Sequence, residues 1–279
     1  MDLTALLVSM VSMGGLGALF SAGLSLANKR LQVVEDPRIR EVTEALPGAN
    51  CGACGYAGCA HYAEKLVSGE AELTACNVAS SDAIEEIAGL LGIEPTITEP
   101  KVARIMCQGG LAEATRKAEY IGIQSCLAAD LMVGGEKQCS YGCLGYGDCI
   151  DSCPFDALYL NDNGLPVVVE DRCTGCGKCV DACPRGVIEL HPKSHRLFIL
   201  CKNHDAPKEA RRMCTKACIG CQICVRAVSD GQIIMDDNLA VIDYNLYGQE
   251  ATLPTDRCPT DCLVVFENQA VMNEEVSPQ

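Results

Sequence analysis

The first long run of apolar positions predicts a helix that spans a membrane. Leu3 to Ala27 form an almost uncharged stretch, long enough to cross a bilayer. Asp2 precedes this run, whereas Lys29 and Arg30 follow it. A secretory signal carries its positive charge ahead of the apolar core, so this order favours a permanent anchor. By the positive-inside rule, we expect a single-pass protein of the cell inner membrane with the chain after residue 28 in the cytoplasm.

Short helices and strands are predicted beyond the anchor. Residues 59–67 and the segment AIEEIAGLL, which Gly92 closes, have the apolar spacing of helices. SCLAADLMVGG predicts another helix, beginning at Cys126. KVARIMC and RLFILC predict strands that end at Cys107 and Cys201. The predicted fold class is therefore α+β, with an N-terminal transmembrane helix followed by small modules.

Composition limits how such modules can be stabilised. Of 279 residues, 21 are Cys, aromatic residues make up 4% and Trp is absent, so ordinary apolar cores are expected to be small. Small modules of this kind usually need a bound metal to hold them together. The net charge of −15 excludes a generally basic nucleic-acid-binding protein.

One basic segment interrupts this acidic chain. An acidic docking partner would need such a patch, although a solvated loop is the simpler interpretation and the one we favour. Its residues are Lys202, Lys208, Arg211, Arg212 and Lys216.

The central cysteines have the spacing of iron–sulfur proteins. CTGCGKCVDACP is spaced like half of a bacterial ferredoxin, in which three thiolates bind one [4Fe-4S] cluster and the fourth binds the other. The preceding run, CSYGCLGYGDCIDSCP, has Tyr146 where the middle cysteine should be, so we expect Cys139 to replace that ligand. The predicted cluster sets are Cys153, Cys173, Cys176 and Cys179 for one cluster, and Cys139, Cys143, Cys149 and Cys183 for the other.

Zinc and disulfides are the alternatives for these runs. A zinc ribbon would leave the trailing Cys-Pro pairs unexplained, and disulfides would require an oxidising compartment. Both alternatives are weaker than the iron–sulfur interpretation.

A separate group of cysteines precedes the central runs. CGACGYAGC and a later cysteine supply four ligands for a further [4Fe-4S] cluster, with structural zinc as the competing interpretation. His61 is expected to be a polar helix residue, since four cysteines already complete the site. The ligands are Cys51, Cys54, Cys59 and Cys76.

The C-terminal cysteines form an incomplete pair of ferredoxin runs. ACIGCQIC lacks its fourth cysteine, because residue 228 is Val, and of the following run only Cys258-Pro259 remains. In the crossed ligand pattern, all the missing cysteines would serve one cluster. We therefore expect a degenerate unit that has kept its fold and one cluster, bound by Cys218, Cys221, Cys224 and Cys258.

Five cysteines remain outside these four clusters. Four of them could form a fifth site, although buried free cysteines often act only as small hydrophobic residues. That candidate site comprises Cys107, Cys126, Cys201 and Cys214, and the fifth remaining cysteine is Cys262.

These assignments divide the chain into six segments. They are a transmembrane anchor (1–28), a linker with a helical [4Fe-4S] domain (29–98), a connecting segment (99–135), a two-cluster ferredoxin-like domain (136–192), a degenerate one-cluster domain (193–265) and a tail (266–279). The sequence contains no G-x-G-x-x-G turn and no P-loop, so any nicotinamide site is expected elsewhere. No catalytic residues are predicted, and the expected chemistry is electron transfer alone.

The ordered motifs resemble the B subunits of the Rnf complex, an ion-translocating ferredoxin:NAD oxidoreductase. The similarity rests on the anchor, CGACGYAGC, CSYGCLGYGDCIDSCPFDAL, CTGCGKCVDACP and ACIGCQIC in that order, and it covers nearly the whole chain. It implies a translocase subunit that accepts electrons from reduced ferredoxin and passes them to membrane subunits and to flavin- and NAD-binding subunits. The depleted C-terminal cysteines depart from the longer members of the family. An iron–sulfur subunit of another membrane redox enzyme, such as a hydrogenase, is the alternative.

Overall fold

A computed structural model describes residues 3–31, 36–95, 99–229, 231–247 and 255–266. Helices and short antiparallel sheets alternate along the chain, which confirms the predicted α+β class. Of the predicted tail 266–279, only residue 266 lies within the described residues.

The N-terminal helix, α1, runs from Leu3 to Leu31 and ends with Lys29 and Arg30 in its last turn. Its segment Met10–Leu31 is long and apolar enough to cross a membrane, and none of it is buried against the rest of the protein. Large side chains such as Phe20 are 61% exposed, as expected of a surface that faces lipid or another membrane helix.

A small helical module follows the anchor. Its helices are α2 (Pro37–Ala45), α3 (Cys59–Val67) and α4 (Ser81–Leu91), with a 3₁₀ turn at Leu73–Ala75. Gly92 adopts a left-handed conformation with φ 68° and ends α4, as the sequence predicts. The core between the helices is small and centred on Val42, Tyr62 and Ile87.

The central unit contains two small antiparallel sheets. Strand β1 (Lys101–Ile105) pairs with β4 (Ile188–Pro192), and β2 (Leu158–Leu160) pairs with β3 (Pro166–Val168). Three helices complete the unit: α5 (Cys126–Val133), α6 (Asp148–Asp151) and α7 (Lys178–Ala182). Because β1 pairs with β4, the start of the predicted connecting segment is continuous with the sheet of this unit.

The C-terminal unit repeats this arrangement. Strand β5 (Leu197–Ile199) pairs with β8 (Leu263–Val265), β6 (Ile233–Asp236) pairs with β7 (Leu239–Ile242), and helices α8 (Pro207–Met213) and α9 (Ile223–Ala227) lie between strands. In both units the first strand pairs with the last and encloses a hairpin. The depleted cysteine pattern has therefore not altered the strand order.

The two units are joined by a buried cation and by the segment between β1 and α5. Arg104 is 4% exposed, pairs with Glu170 at 2.5 Å and lies over the rings of Phe198 and Phe266. The Thr115 amide also donates to the carbonyl of residue 213, at the end of α8. The two units therefore pack directly against each other.

Truncation of the core of the helical module should loosen it. We expect Ile87→Ala to destabilise the module by about 2–5 kcal/mol, because it leaves a cavity that three short helices cannot close. Hydrogen exchange of residues 37–91 in the full chain measures this loss. Glu86→Ala, an exposed change on the same helix, is the control and should leave the exchange unchanged.

Candidate iron–sulfur centres

Cysteine side chains line five cavities within the described part of the chain. We name the groups set A to set E in the order in which they neighbour one another. They are set A (Cys51, Cys54, Cys59, Cys76), set B (Cys153, Cys173, Cys176, Cys179), set C (Cys126, Cys143, Cys149, Cys183), set D (Cys107, Cys139, Cys201, Cys214) and set E (Cys218, Cys221, Cys224, Cys258).

Set A lies in the helical module, around the loop that leads into α3. The four cysteines predicted from the sequence line one cavity of about 330 Å³. The Asn50 side chain accepts the Cys59 amide hydrogen at 2.8 Å and so fixes the loop against the helix. His61 is not among the lining residues; its Nδ1 lies 3.5 Å from the amide of Ala57.

Set B shows the crossed arrangement of a two-cluster ferredoxin. Three of its cysteines come from the second run, and Cys153 comes from the end of the first. The Ala103 amide of β1 donates to Cys173 Sγ, and the Ala157 amide donates to Cys153 Sγ, each at 3.4 Å. Such N–H···S bonds stabilise thiolate charge and are a means by which a protein adjusts cluster potential.

Set C corrects the predicted position of one cysteine. Cys126, at the start of α5, lines the cavity with Cys143, Cys149 and Cys183, whereas Cys139 does not. Tyr146, in place of the missing cysteine, instead donates its hydroxyl hydrogen to Glu136 at 2.8 Å.

Asp148 holds Cys126 in this position. Its carboxylate accepts the amide hydrogens of Cys126 at 2.9 Å and Leu127 at 3.0 Å, and the hydroxyl hydrogen of Ser125 at 2.9 Å. Burial acts to raise the pKa of Asp148, but these hydrogen bonds outweigh it, so the pKa lies below its ordinary value. The start of α5 is thus tied to the residue that precedes Cys149.

Set D contains the displaced cysteine. Cys139 lies with Cys107, Cys201 and Cys214 around a cavity of about 370 Å³. Three members of the predicted fifth group therefore lie together, whereas Cys126 exchanges places with Cys139. The reason is the direction of the Cys139 side chain, whose sulfur accepts a hydrogen bond from Asn203 Nδ2 at 3.6 Å, on the side facing the C-terminal unit.

Set E is accompanied by a further cysteine that sequence reasoning left unassigned. Cys262 lines the same cavity, and its sulfur lies 3.7 Å from Cys258 Sγ. Hydrogen bonding with Cys262 lowers the pKa of Cys258 and Cys218 and raises the pKa of Cys262 itself. Cys262 therefore lies at hydrogen-bonding distance from the ligand candidate Cys258, in the same cavity as Cys218. The sequence signal for this role is the position of Cys262, four residues after Cys258 of the Cys-Pro pair. In the central unit the equivalent position, four residues after Cys153, is occupied by Ala157.

The three ferredoxin-type runs share one packing constraint. The glycine before the middle ligand position has a positive φ and lies against a backbone carbonyl. A Cβ atom would come 2.8 Å from the Gly164 oxygen at Gly145, 2.4 Å from the Lys101 oxygen at Gly175 and 2.9 Å from the Asn238 oxygen at Gly220. A side chain at these glycines would therefore push each cysteine loop away from the neighbouring strand or turn.

The buried thiols need a metal to become thiolates. Burial, followed by the charge of neighbouring cysteines, raises the pKa of Cys149 and of Cys179 to about 12. Burial likewise raises the pKa of Cys201 to about 12 and that of Cys214 to about 11. Such groups are poor nucleophiles at neutral pH, and metal binding would release their protons.

The spread of the sulfurs fits a polynuclear cluster better than zinc. In the described residues, no three cysteine sulfurs lie within 4.8 Å of one another. A tetrahedral zinc with Zn–S bonds of about 2.3 Å would bring its sulfurs within roughly 4 Å. A [4Fe-4S] cubane with four thiolate ligands fits these all-sulfur cavities. When bound, such a cluster supplies one-electron transfer.

The fold and the cysteine sets define an iron–sulfur protein with ferredoxin-type units. Residues 46–78 match the family model described as "Putative Fe-S cluster", and residues 166–189 match that described as "4Fe-4S binding domain". The N-terminal helix adds membrane association to this class of protein.

Comparison with known proteins gives the family. The chain is 42% identical to the B subunit of the Na(+)-translocating ferredoxin:NAD(+) oxidoreductase complex of Acetobacterium woodii, over 94% of this chain and 78% of that protein. It is 38% identical to the B subunit of the ion-translocating oxidoreductase complex of Methanosarcina acetivorans, over 86% of this chain and 91% of the relative. For the B subunit of the proton-translocating ferredoxin:NAD(+) oxidoreductase complex of Clostridium ljungdahlii, identity is 36% over 94% and 93% of the two chains.

The chain belongs to this family of B subunits of ion-translocating oxidoreductase, or Rnf, complexes. It is an iron–sulfur electron-transfer subunit of that kind of complex. The resemblance drawn from the motifs is thereby confirmed.

Removal of the Asp148 carboxylate should release Cys126. We expect Asp148→Ala to weaken the start of α5 by about 1.5–3 kcal/mol, the usual value of hydrogen bonds to a charged group, and to lower the iron content by about one cluster. Anaerobic iron and sulfide analysis measures this. Asp151→Ala, an exposed change on α6, is the control. Unchanged iron in Asp148→Ala would show that Cys126 is not a ligand.

Two neighbouring glycines allow a matched test of the packing constraint. Gly175→Ala should strip the cluster from set B, because the new methyl group meets the Lys101 carbonyl oxygen. At Gly177, which also has positive φ, the nearest atom is a Leu190 methyl carbon at 3.8 Å, so Gly177→Ala costs only the left-handed strain of about 1–2 kcal/mol. Equal iron loss in both variants would contradict the role of the carbonyl contact.

Proposed function

We propose that this chain accepts electrons from reduced ferredoxin and relays them through [4Fe-4S] clusters to the other subunits of an ion-translocating ferredoxin:NAD oxidoreductase. The proposal extends to this chain what the names of its relatives state of those proteins. Clusters in sets A, B, C and E are the four cofactors that the sequence predicts, with Cys126 replacing Cys139 in set C.

The observation that carries the proposal is that cysteine sets from separate segments lie side by side. Sets B and C are neighbours, because the charge of Cys179 in set B adds to burial in raising the pKa of Cys149 in set C. Sets A and B are neighbours as well, because Cys51 adds to the effect of burial on the pKa of Cys176. The helical module, which follows the membrane helix in the chain, thus adjoins the central unit.

The proximity of the module and the central unit supports an electron path between sets A and B. At Gly52, in the loop of set A, a Cβ atom would lie 3.9 Å from Nζ of Lys178, at the start of α7. One-electron transfer between neighbouring sites needs no bond to form or break. The protein contributes by burying the sulfurs, donating hydrogen bonds to them and fixing the distances between sets.

The proposed orientation of the chain rests on the charges in the last turn of α1. Lys29 and Arg30 lie in its last turn, and by the positive-inside rule they belong on the cytoplasmic side. The proposed chain is therefore a single-pass protein, with all five cysteine sets in a compartment where thiolates remain reduced.

The predicted basic patch is largely neutralised within the chain. Lys202 pairs with Glu189, Arg212 with Glu209 and Lys216 with Asp261. Lys208 and Arg211 are exposed and have no ion pair among the described residues. This supports a solvated surface with at most a small basic area for an acidic carrier such as ferredoxin.

Substitution of a central ligand should interrupt the relay. We expect Cys176→Ala to abolish most ferredoxin-driven NAD reduction by the assembled complex, because set B lies between sets A and C. The matched control is Arg172→Ala, an exposed change just before the same run. EPR of the purified chain, reduced at low potential, shows whether the cluster signals decrease. Full activity with one cluster signal lost would refute the relay through set B.

A further inference from the structure

Set D lines a cavity close in size to those of sets A and C. Its volume of about 370 Å³ lies beside 330 Å³ for set A and 380 Å³ for set C. It lies outside both segments that match family models, residues 46–78 and 166–189. Nothing in the four-cluster proposal uses its cysteines.

The cysteines of set D come from four separate segments that converge at the joint between the two ferredoxin-like units. Cys107 follows β1, Cys139 begins the first central run, Cys201 follows β5 and Cys214 follows α8. The backbone also joins these segments, because residues 114 and 214 form an antiparallel bridge. The four segments thus bring four thiols to one cavity.

Glycines and amides around the cavity leave the sulfurs accessible to a ligand. A Cβ atom at Gly109 would lie 3.2 Å from Cys214 Sγ, and one at Gly142 would lie 3.5 Å from Cys139 Sγ. The amide of Cys143 donates to Cys107 Sγ at 3.4 Å, and the amide of Asn203 donates to Cys201 Sγ at 3.5 Å. These are the kinds of N–H···S bonds that also occur in set B.

A buried lysine beside the cavity lacks a counter-charge. Lys137 is 5% exposed, lines the cavity and donates to the carbonyl oxygens of Gly109 at 2.6 Å and Cys143 at 2.8 Å. In the described ranges, no carboxylate lies within ion-pair distance of its ammonium group. A buried charge without an opposite charge is costly, so the arrangement requires an anionic group nearby. Four thiolates around an iron–sulfur core carry a net negative charge.

We propose that Cys107, Cys139, Cys201 and Cys214 bind a fifth [4Fe-4S] cluster, which connects the clusters of the central unit to that of the C-terminal unit. The inference rests on the proposed relay and adds a site to it. Zinc is disfavoured here by the wide separation of the sulfurs.

The position of set D explains why the relay needs it. On one side, its Cys107 accepts a hydrogen bond from the Cys143 amide of set C. On the other side, the backbone and charge of Cys218 in set E are near enough to the Cys201 sulfur to influence its pKa. Sets A to E therefore follow one another as a single line. When one electron moves between two neighbouring clusters, the donor is oxidised by one electron and the acceptor is reduced by one electron. No proton or other reactant is needed.

Paired substitutions test both the existence of the site and its ligands. The full chain, purified anaerobically in detergent, should contain about twenty irons, as expected for five Cys₄ cubanes. Cys107→Ala and Cys139→Ala should each remove about four irons, and the double variant should remove no more than either alone, since both ligate one cluster. The matched pair Cys126→Ala and Cys139→Ala should lose about eight irons when combined, because those residues serve different clusters.

Three results would overturn the proposal. One is a wild-type content of about sixteen irons that Cys107→Ala leaves unchanged, which would keep the four-cluster relay intact. Another is stoichiometric zinc that Cys107→Ala removes. The third is additive iron loss in the Cys107→Ala/Cys139→Ala pair. In contrast, full ferredoxin-driven NAD reduction in Cys176→Ala despite the loss of one cluster signal would contradict the relay itself, so the two failures are distinguishable. Retained EPR signals from the other clusters show that each variant has folded.

The lysine provides a second readout that does not remove a ligand. Lys137→Gln should keep the full iron content. The set D cluster is identified by the EPR signal that Cys107→Ala removes, and in Lys137→Gln its reduction potential should be lower, because the positive charge that favours the reduced form is gone. The exposed Lys117→Gln is the control. A full iron content with no potential shift at that signal would count against a cluster beside Lys137.

Discussion

The convergence of cysteine sulfurs is the constraint on which the folded chain depends. Within the described residues each sheet has two strands, and the apolar cores of the modules contain few large side chains. Burial raises the pKa of thiols such as Cys149 and Cys179, so a bound cation favours their ionisation, and two-stranded ribbons are marginal on their own. Metal binding and folding are therefore linked in every unit, and the cysteine loops, rather than the strands, set the shape of the molecule.

The strict spacing of the runs explains which parts could be predicted from the sequence. In CTGCGKCVDACP the ligands are separated by so few residues that their sulfurs must lie on one side of the loop, and a glycine marks each turn. The same holds for CGACGYAGC, whereas in ACIGCQIC the second turn is made by Gln222, with a positive φ of 60°. The helices α3, α4 and α5 and the strands β1 and β5 were predictable because their caps and apolar spacing are local features.

The exchange of Cys126 and Cys139 was not predictable by such reasoning. Cys139 is near the first run in sequence, which made it the natural substitute ligand. The side chain that selects Cys126 is Asp148, whose contacts bridge two segments separated by 22 residues along the chain. Cys139 is directed by Asn203, from the other unit. Spacing cannot reveal such long-range contacts. The role of Cys262 could be inferred only by comparing the two units, because Ala157 occupies the equivalent position in the central unit.

The scattered origin of set D has a consequence for how the protein matures. The ligands of set A lie within residues 51–76, so that site can close as soon as the helical module has left the ribosome. Set D needs both Cys107 and Cys214, and its cavity is completed only after α8 has been synthesised and has docked on the segment before α5. Until then Cys107 and Cys139 remain without their partners. With a cluster in set D, cofactor assembly would therefore proceed in stages, and the joint between the two ferredoxin-like units would be among the last parts to form.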